Sequence, residues 1–260
     1  MGKTIAILNF KGGVGKTTTA VNLADALRIQ KKKVLVVDID SQRNATIILT
    51  TKEDHDNNEV NDTIFNAIEA VATKKQGVTL GVYEHSRNLD FVAGDIALKD
   101  VEVVVASVMA KETILRKLLN APKQAYDYII IDCPPNAGIM TINAMVAADS
   151  LLIPVDSQPM ALDGLADITQ LYSEVKSIFN PSLTIEGYLL TRFRSNYSSS
   201  KAVLRFLQSR QADLLLNTRI HENTTLGQAP GERKTIFEFD HTCIGASDYL
   251  QLAKEILKKK

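Results

Sequence analysis

The residues with the most chemistry in their spacing are Lys11-Gly12-Gly13-Val14-Gly15-Lys16-Thr17-Thr18, followed further on by three carboxylates, Asp38, Asp40 and Asp132. Gly15-Lys16-Thr17 is the phosphate-holding end of a G-x-x-x-x-G-K-[ST] loop. The first glycine of that pattern would fall at position 10, where Phe10 stands, and a second lysine, Lys11, precedes the glycine pair. Glycines between a strand and a helix let the backbone wrap an anion, with N–H groups and the helix N-terminus aimed at it. In such a loop Lys16 reaches the β- and γ-phosphates and the Thr17 hydroxyl ligates Mg²⁺. ATP and Mg²⁺ are the expected cofactors. The plain alternative is a glycine-rich turn with a solvated lysine pair, and the flanking strand and helix argue against it.

Those flanking elements are legible. Residues 4–8 form an apolar run that suits a buried strand, and residues 17 to about 31 suit a helix with Ala20, Leu23, Ala24 and Leu27 on one face. After the lysine turn at 31–33, an apolar run at 34–40 predicts a parallel strand that carries Asp38 and Asp40 to its C-terminal end, on one side by alternation. Ligands of open α/β sheets bind at that edge. One carboxylate can support a metal while the other orients a water. Residues 126–135 predict a second such strand, which delivers Asp132 to the same edge and ends at Pro134-Pro135.

The remaining chain repeats this alternation. A short strand and turn is expected at 88–94, and strands at 150–155, 185–190 and 213–217. Helices are expected from Asp62 or Thr63 onward, at 111–120, at about 161–179 and at about 245–258, the last burying Leu250, Ala253 and Leu257. Residues 50–61 are polar and read as a surface loop, with His55 a solvated residue. The expected fold is α/β, a doubly wound, mostly parallel sheet flanked by helices, forming one domain over residues 1–260.

Composition narrows the function. Thirty basic residues balance thirty acidic ones, so no global field draws the chain to nucleic acid, and any such binding needs a local patch. The two cysteines, Cys133 and Cys243, give no disulfide framework and no C-x-x-C spacing. Cys133 reads as a small strand-end hydrophobe. No apolar run is long enough for a membrane span. The chain reaches a strand almost at once, and no signal peptide is expected.

Lys-Gly-Gly-Val-Gly-Lys-Thr-Thr-Thr-Ala-Val-Asn-Leu-Ala resembles the signature of the deviant-Walker ATPases of the ParA/MinD superfamily, and specifically the ParA partition proteins. The resemblance runs over nearly the whole chain. Val37-Asp38-Ile39-Asp40-Ser41-Gln42 is similar to the family's first switch, Asp-x-Asp-Pro-Gln, with Ser41 in place of the proline. Ile131-Asp132-Cys133-Pro134-Pro135, Asn143-Ala144 and Ala147-Ala148-Asp149 fit the second switch. The resemblance implies that Lys11 crosses a dimer interface to the partner's phosphates, that Asp40 positions the hydrolytic water, and that Asp38 supports the Mg²⁺ shell. It implies a homodimer on ATP binding, DNA binding without sequence preference, a ParB-like centromere-bound partner and a cytoplasmic, nucleoid-associated protein.

The candidates for DNA contacts are the basic residues of the C-terminal third, Arg192, Arg194, Lys201, Arg205, Arg210, Arg219, Arg233, Lys234 and Lys258 to Lys260, with Arg194 and Arg219 first. Glu222 and Thr225 stand where many relatives carry arginines, so those contacts do not transfer. Two other classes share the fold. A MinD-like membrane-surface regulator needs an amphipathic membrane helix, and the basic end of this chain lacks Phe or Trp anchors, so no membrane contact is expected. A metabolic phosphoryl-transfer enzyme or metal-cluster scaffold is the third.

Overall fold

The computed structural model describes residues 2–50, 60–158, 162 and 164–259. His55, most of the predicted polar loop and the predicted start of the 161–179 helix lie outside the described residues. Eight strands form one sheet in the order β3-β4-β2-β5-β1-β6-β7-β8. They are β1 (Lys3–Ile7), β2 (Val34–Asp38), β3 (Tyr83–Ser86), β4 (Leu89–Val92), β5 (Tyr128–Asp132), β6 (Ser150–Asp156), β7 (Thr184–Phe193) and β8 (Leu215–His221). All pairings are parallel except β3 with β4.

The main helices are α1 (Lys16–Ile29), α2 (Asn44–Leu49), α3 (Ile64–Ala72), α4 (Ile139–Ala147), α5 (Leu165–Ile178), α6 (Ser198–Arg210) and α7 (Ile244–Lys258). Central strands are buried on both faces, and successive side chains feed opposite cores. Ile5, Ile7, Val34, Val36 and Ile130 join one cluster with Leu23 and Leu27 of α1 and Leu252 and Ile256 of α7. Ala6, Leu8, Leu35, Val37, Ile129 and Ile131 join the other with Ala144 and Met145 of α4 and Val175 of α5. The apolar stripe expected on α1, Ala20, Leu23, Ala24 and Leu27, is fully buried.

Three local expectations change, and one edge strand was not foreseen. The second strand stops at Asp38, because the Asp38 carboxylate accepts from Asp40 N–H at 3.1 Å and draws the chain into a turn. Asp40 therefore sits past the strand and not two residues along it. The last strand runs over Leu215–His221, later than 213–217, because a short 3-10 turn occupies Ala212–Leu214. The final helix buries Tyr249, Leu252, Ala253 and Ile256, one position off the expected face, with Leu250 and Leu257 half-buried. Tyr249 selects that face by placing its hydroxyl 3.3 Å from that of Thr19 on α1. The edge strand β3 runs antiparallel, and its Tyr-Glu-His-Ser sequence carries no apolar period. The helix cap at Thr63 holds as a capping box with Asn66.

Candidate functional site

Strand register assembles the site. Asp38 pairs with Asp132 across β2 and β5, and Asp132 pairs with Ile7 across β5 and β1. The glycine loop leaves β1 just beyond Ile7, so the loop and both carboxylates share one sheet edge. Gly13 and Gly15 lie at φ +73° and +89°, the left-handed region where a Cβ is strained, which lets the loop curl before α1 begins at Lys16. Asn9 ties the loop to its neighbour: its amide donates to the Pro154 carbonyl at 2.8 Å and its Oδ1 accepts from Lys11 N–H at 2.9 Å.

Lys16 is 7 % exposed, and its ammonium donates to the Lys11 carbonyl at 3.0 Å. Burial lowers its pKa, against the opposing charges of Asp132 and Asp40. The Lys11 side chain is half-exposed and has no hydrogen bond or ion pair among the described residues. Val14, Gly12 and Thr18 complete the loop, Val14 buried and Gly12 exposed.

The three carboxylates occupy different environments. Asp38 is saturated: Oδ2 accepts from Thr46 N–H at 2.8 Å and from the Thr46 hydroxyl at 2.7 Å, and Oδ1 accepts from Asp40 N–H. Burial pushes its pKa up to about 6 in spite of the Thr46 bonds. Gly94 permits this packing, since a Cβ there would stand 2.9 Å from the Asp38 carboxyl carbon. Asp40 is nearly buried, and its Oδ1 accepts from Gln42 N–H at 3.0 Å. Asp132 is wholly buried, and neither oxygen has a hydrogen-bond partner among the described residues. Burial and then the Asp38 charge drive its pKa well up; Thr17 stands close enough to oppose this without making a hydrogen bond.

A bare, buried carboxylate is costly unless something positive meets it. The donor set fits a hard dication: a carboxylate and the Thr17 hydroxyl are oxygen ligands of the kind Mg²⁺ takes, and Asp132 is the orphan that such an ion would satisfy. Cys133, beside it, is buried with its pKa pushed up by burial and by Asp132, so it is inert as a nucleophile.

On the other side of the loop, a cavity of about 480 Å³ is lined by Gly13, Val14, Gly15 and Thr18 together with Arg192, Arg194 and the 220–227 segment. Its size and position suit the nucleoside end of a nucleotide whose phosphates lie in the loop. Sequence reasoning missed this cavity, as well as Thr46 and Thr191, and it counted Arg192 only among the basic residues that could contact DNA. Thr46 lies four residues past Gln42, and no local signal in the sequence ties it to Asp38. Of the DNA candidates, Arg194 lines the cavity, is ion-paired with Glu222 and stacks 4.6 Å from the Tyr197 ring. Arg219 lies on β8 with its guanidinium 5.0 Å over Phe193 and its Nε buried.

A parallel sheet with a glycine loop between β1 and α1, and acidic residues on the adjoining strand ends, defines a phosphate-loop nucleoside-triphosphate-binding protein. Comparison with known proteins makes the class narrower. A family model described as an AAA domain matches residues 2–185. The chain is 39 % identical over 256 residues to the sporulation initiation inhibitor protein Soj of Bacillus subtilis, covering 98 % of each chain. It is 36 % identical over 259 residues to the chromosome partitioning protein ParA of Myxococcus xanthus, covering 100 % of this chain and 89 % of that one. Among solved structures, cobyrinic acid a,c-diamide synthase of Mycobacterium smegmatis, crystallised with an ATP analogue and magnesium, superposes with a TM-score of 0.82 at 26 % identity, over 99 % of this chain and 95 % of that one. The chain belongs to the ParA family of DNA-partition ATPases.

Proposed function

We propose that this protein is a Mg²⁺-dependent ATPase that dimerises on binding ATP, binds DNA without sequence preference in that state, and moves a plasmid or chromosome with a ParB-like centromere-binding partner. The observation that carries the chemistry is Asp132, wholly buried, with neither oxygen hydrogen-bonded among the described residues, at the edge that also holds Lys16 and Thr17. The N–H groups of residues 12–18 and the Lys16 ammonium bind and orient the phosphates. Thr17 and Asp132 hold the magnesium, which supplies charge neutralisation across the phosphates when bound. Asp38, already fixed by Thr46, supports that shell from behind. Asp40 accepts the proton of, and aligns, the attacking water. Lys11, whose side chain has no partner among the described residues, reaches the phosphates held by a second subunit.

The similarity to chromosome partitioning proteins along almost the whole chain supports partition over a metabolic role, because the same fold also serves a diamide synthase. The membrane alternative relies on the C-terminal helix, whose apolar face, Tyr249, Leu252, Ala253 and Ile256, is spent on α1 and the sheet. No helix among the described residues is long and apolar enough to cross a membrane. A cytoplasmic protein gathered on the nucleoid follows from this reading.

The decisive experiment compares wild type and Lys11→Ala by light scattering and ATP hydrolysis, and wild type by co-sedimentation with DNA and with liposomes. Wild type should double in mass with ATP and pellet with DNA; Lys11→Ala should stay monomeric and lose hydrolysis by about 100-fold. Unchanged dimers in Lys11→Ala remove the cross-subunit role, and pelleting with liposomes in place of DNA replaces the partition reading with the membrane one.

A further inference from the structure

Two consecutive side chains at the end of β7 reach the phosphate loop. The Thr191 hydroxyl donates to the Val14 carbonyl at 2.9 Å, with a longer contact to the Val155 carbonyl at 3.3 Å. The Arg192 guanidinium donates to the Gly13 carbonyl. Neighbours on a regular strand point to opposite faces, so both can reach one loop only through an irregularity. β7 contains it. Leu190 pairs with Arg219 and Phe193 with His221, so three steps on β7 face two on β8. Arg192 sits in this bulge at φ +50°, a conformation that costs a residue with a Cβ.

The bulge is fixed from several sides. Ser157 N–H donates to the Thr191 carbonyl at 3.1 Å, and the Ser157 hydroxyl donates to the Arg192 carbonyl at 2.7 Å. Ser200 on α6 stands 3.0 Å from that same hydroxyl. The Asp156 carboxylate, almost buried at the end of β6, lies 2.6 Å from the Arg192 guanidinium and sets its direction. The Arg192 side chain is itself about half exposed, so folding does not require it for packing.

A trans peptide unit points its C=O and the next N–H in opposite directions. Holding the Gly13 and Val14 carbonyls outward, toward β7, turns the N–H groups of Val14 and Gly15 the other way, into the loop where an anion is cradled. We propose that the Thr191–Arg192 bulge is a clamp that pre-organises the phosphate loop, with Arg192 as a positioning residue and Asp156 orienting its guanidinium. This rests on the reading of the loop as a nucleotide site. Arg192 acts on the loop's backbone, so its loss leaves the loop to be ordered at the moment of binding. The deficit then falls on affinity and KM, and turnover of bound nucleotide is spared.

The test uses the full chain and titrates AMPPNP with Mg²⁺ calorimetrically, alongside steady-state ATP hydrolysis. Arg192→Ala should weaken Kd about tenfold and raise KM in parallel, with kcat within about twofold of wild type. Arg192→Lys should recover part of that loss, because an ammonium can still donate to the Gly13 carbonyl. The double variant Asp156→Asn/Arg192→Ala should be no worse than Arg192→Ala alone. Thr191→Val, which removes the other arm at constant volume, should weaken Kd about threefold. Arg192→Ala binding within about twofold of wild type, or a fall in kcat with KM unchanged, overturns the clamp. Additive losses in the double variant overturn the part given to Asp156. Wild type that fails to bind AMPPNP overturns the nucleotide site and the clamp together, whereas wild type that binds beside an unaffected Arg192→Ala overturns the clamp alone.

Discussion

The two halves of the sheet's functional edge solve opposite problems. On the β2–β5 side a buried carboxylate, Asp132, lacks any bonded partner among the described residues, next to a fully bonded one, Asp38. On the β7–β8 side the cations are exposed or half-exposed, and each is already engaged: Arg192 with Asp156, Arg194 with Glu222, Arg219 over Phe193. A buried carboxyl without a bonded partner is expensive and has no structural explanation, so it points to a ligand. A paired surface cation explains itself, and its presence alone says little about what it binds. The acidic half thus speaks about chemistry from geometry, while the basic half needs its existing partners removed before it speaks.

The largest expected effect comes from neutralising the orphan. Asp132→Asn should lower ATP hydrolysis at least about 100-fold and abolish the Mg²⁺ dependence of nucleotide binding. With its pKa driven well up, the nucleotide-free carboxyl carries little charge to remove, so the Tm of the nucleotide-free protein should stay within about two degrees of wild type. Activity assays and calorimetry on the same sample check both. A lower Tm would mean that Asp132 is structurally satisfied, and the contrast between the halves would collapse.

A smaller effect tests the basic half. If Arg194 contacts DNA, Glu222 competes with the phosphates for it. Glu222→Gln should then tighten ATP-dependent DNA binding about threefold, and Arg194→Ala should weaken it by a similar factor and reduce the salt slope by about one. Gel shifts across a salt series measure both. Arg219→Glu belongs in the same series, because its guanidinium is held over Phe193 and has the least freedom to reach a phosphate. If none of the three variants moves the shift, the DNA surface lies elsewhere on the chain.

Much of the acidic half was legible because its signals are local. Gly15-Lys16-Thr17 stands between an apolar run and an amphipathic one, and Asp132 closes an unbroken stretch of isoleucines, so strand ends announced themselves. Where the reading slipped, a side chain had overruled the period. Alternation placed Asp40 on β2, but the Asp38 carboxylate captures the Asp40 N–H and ends the strand early. The final helix offered two apolar faces one residue apart, and a contact with Thr19, far away in sequence, chose between them. The clamp was illegible altogether. Nothing in Leu-Leu-Thr-Arg-Phe marks a bulge, because the bulge is fixed by Ser157 and Ser200 from other elements.

The smallest effect concerns a buried charge on the edge strand β3, away from the functional edge, that does have partners. His85 on β3 places Nδ1 2.8 Å from the Leu49 carbonyl at the end of α2, and Nε2 3.1 Å from Glu238 Oε1. The second contact is poorly aligned as a hydrogen bond and acts as an ion pair. Both partners are acceptors, so the imidazolium, with two N–H donors, is the species that suits both. Burial pulls the His85 pKa down, but Glu238 and the Leu49 carbonyl outweigh it and leave the pKa above its ordinary value of 6.5, with a minor contribution from Asp25. A raised folded-state pKa contributes stability that is complete below the unfolded value and is lost as pH rises through the folded value. The wild-type Tm should therefore fall by a few degrees more than that of Glu238→Gln as pH increases from about 6.5 upward. Glutamine is chosen because Glu238 also receives the Thr235 N–H in a capping box, and glutamine keeps that cap while removing the charge. Parallel Tm–pH curves for the two proteins would show that His85 is neutral in the fold. Diverging curves would show that a buried charge in this fold persists only when it is paired, the condition that Asp132 meets once a cation is bound.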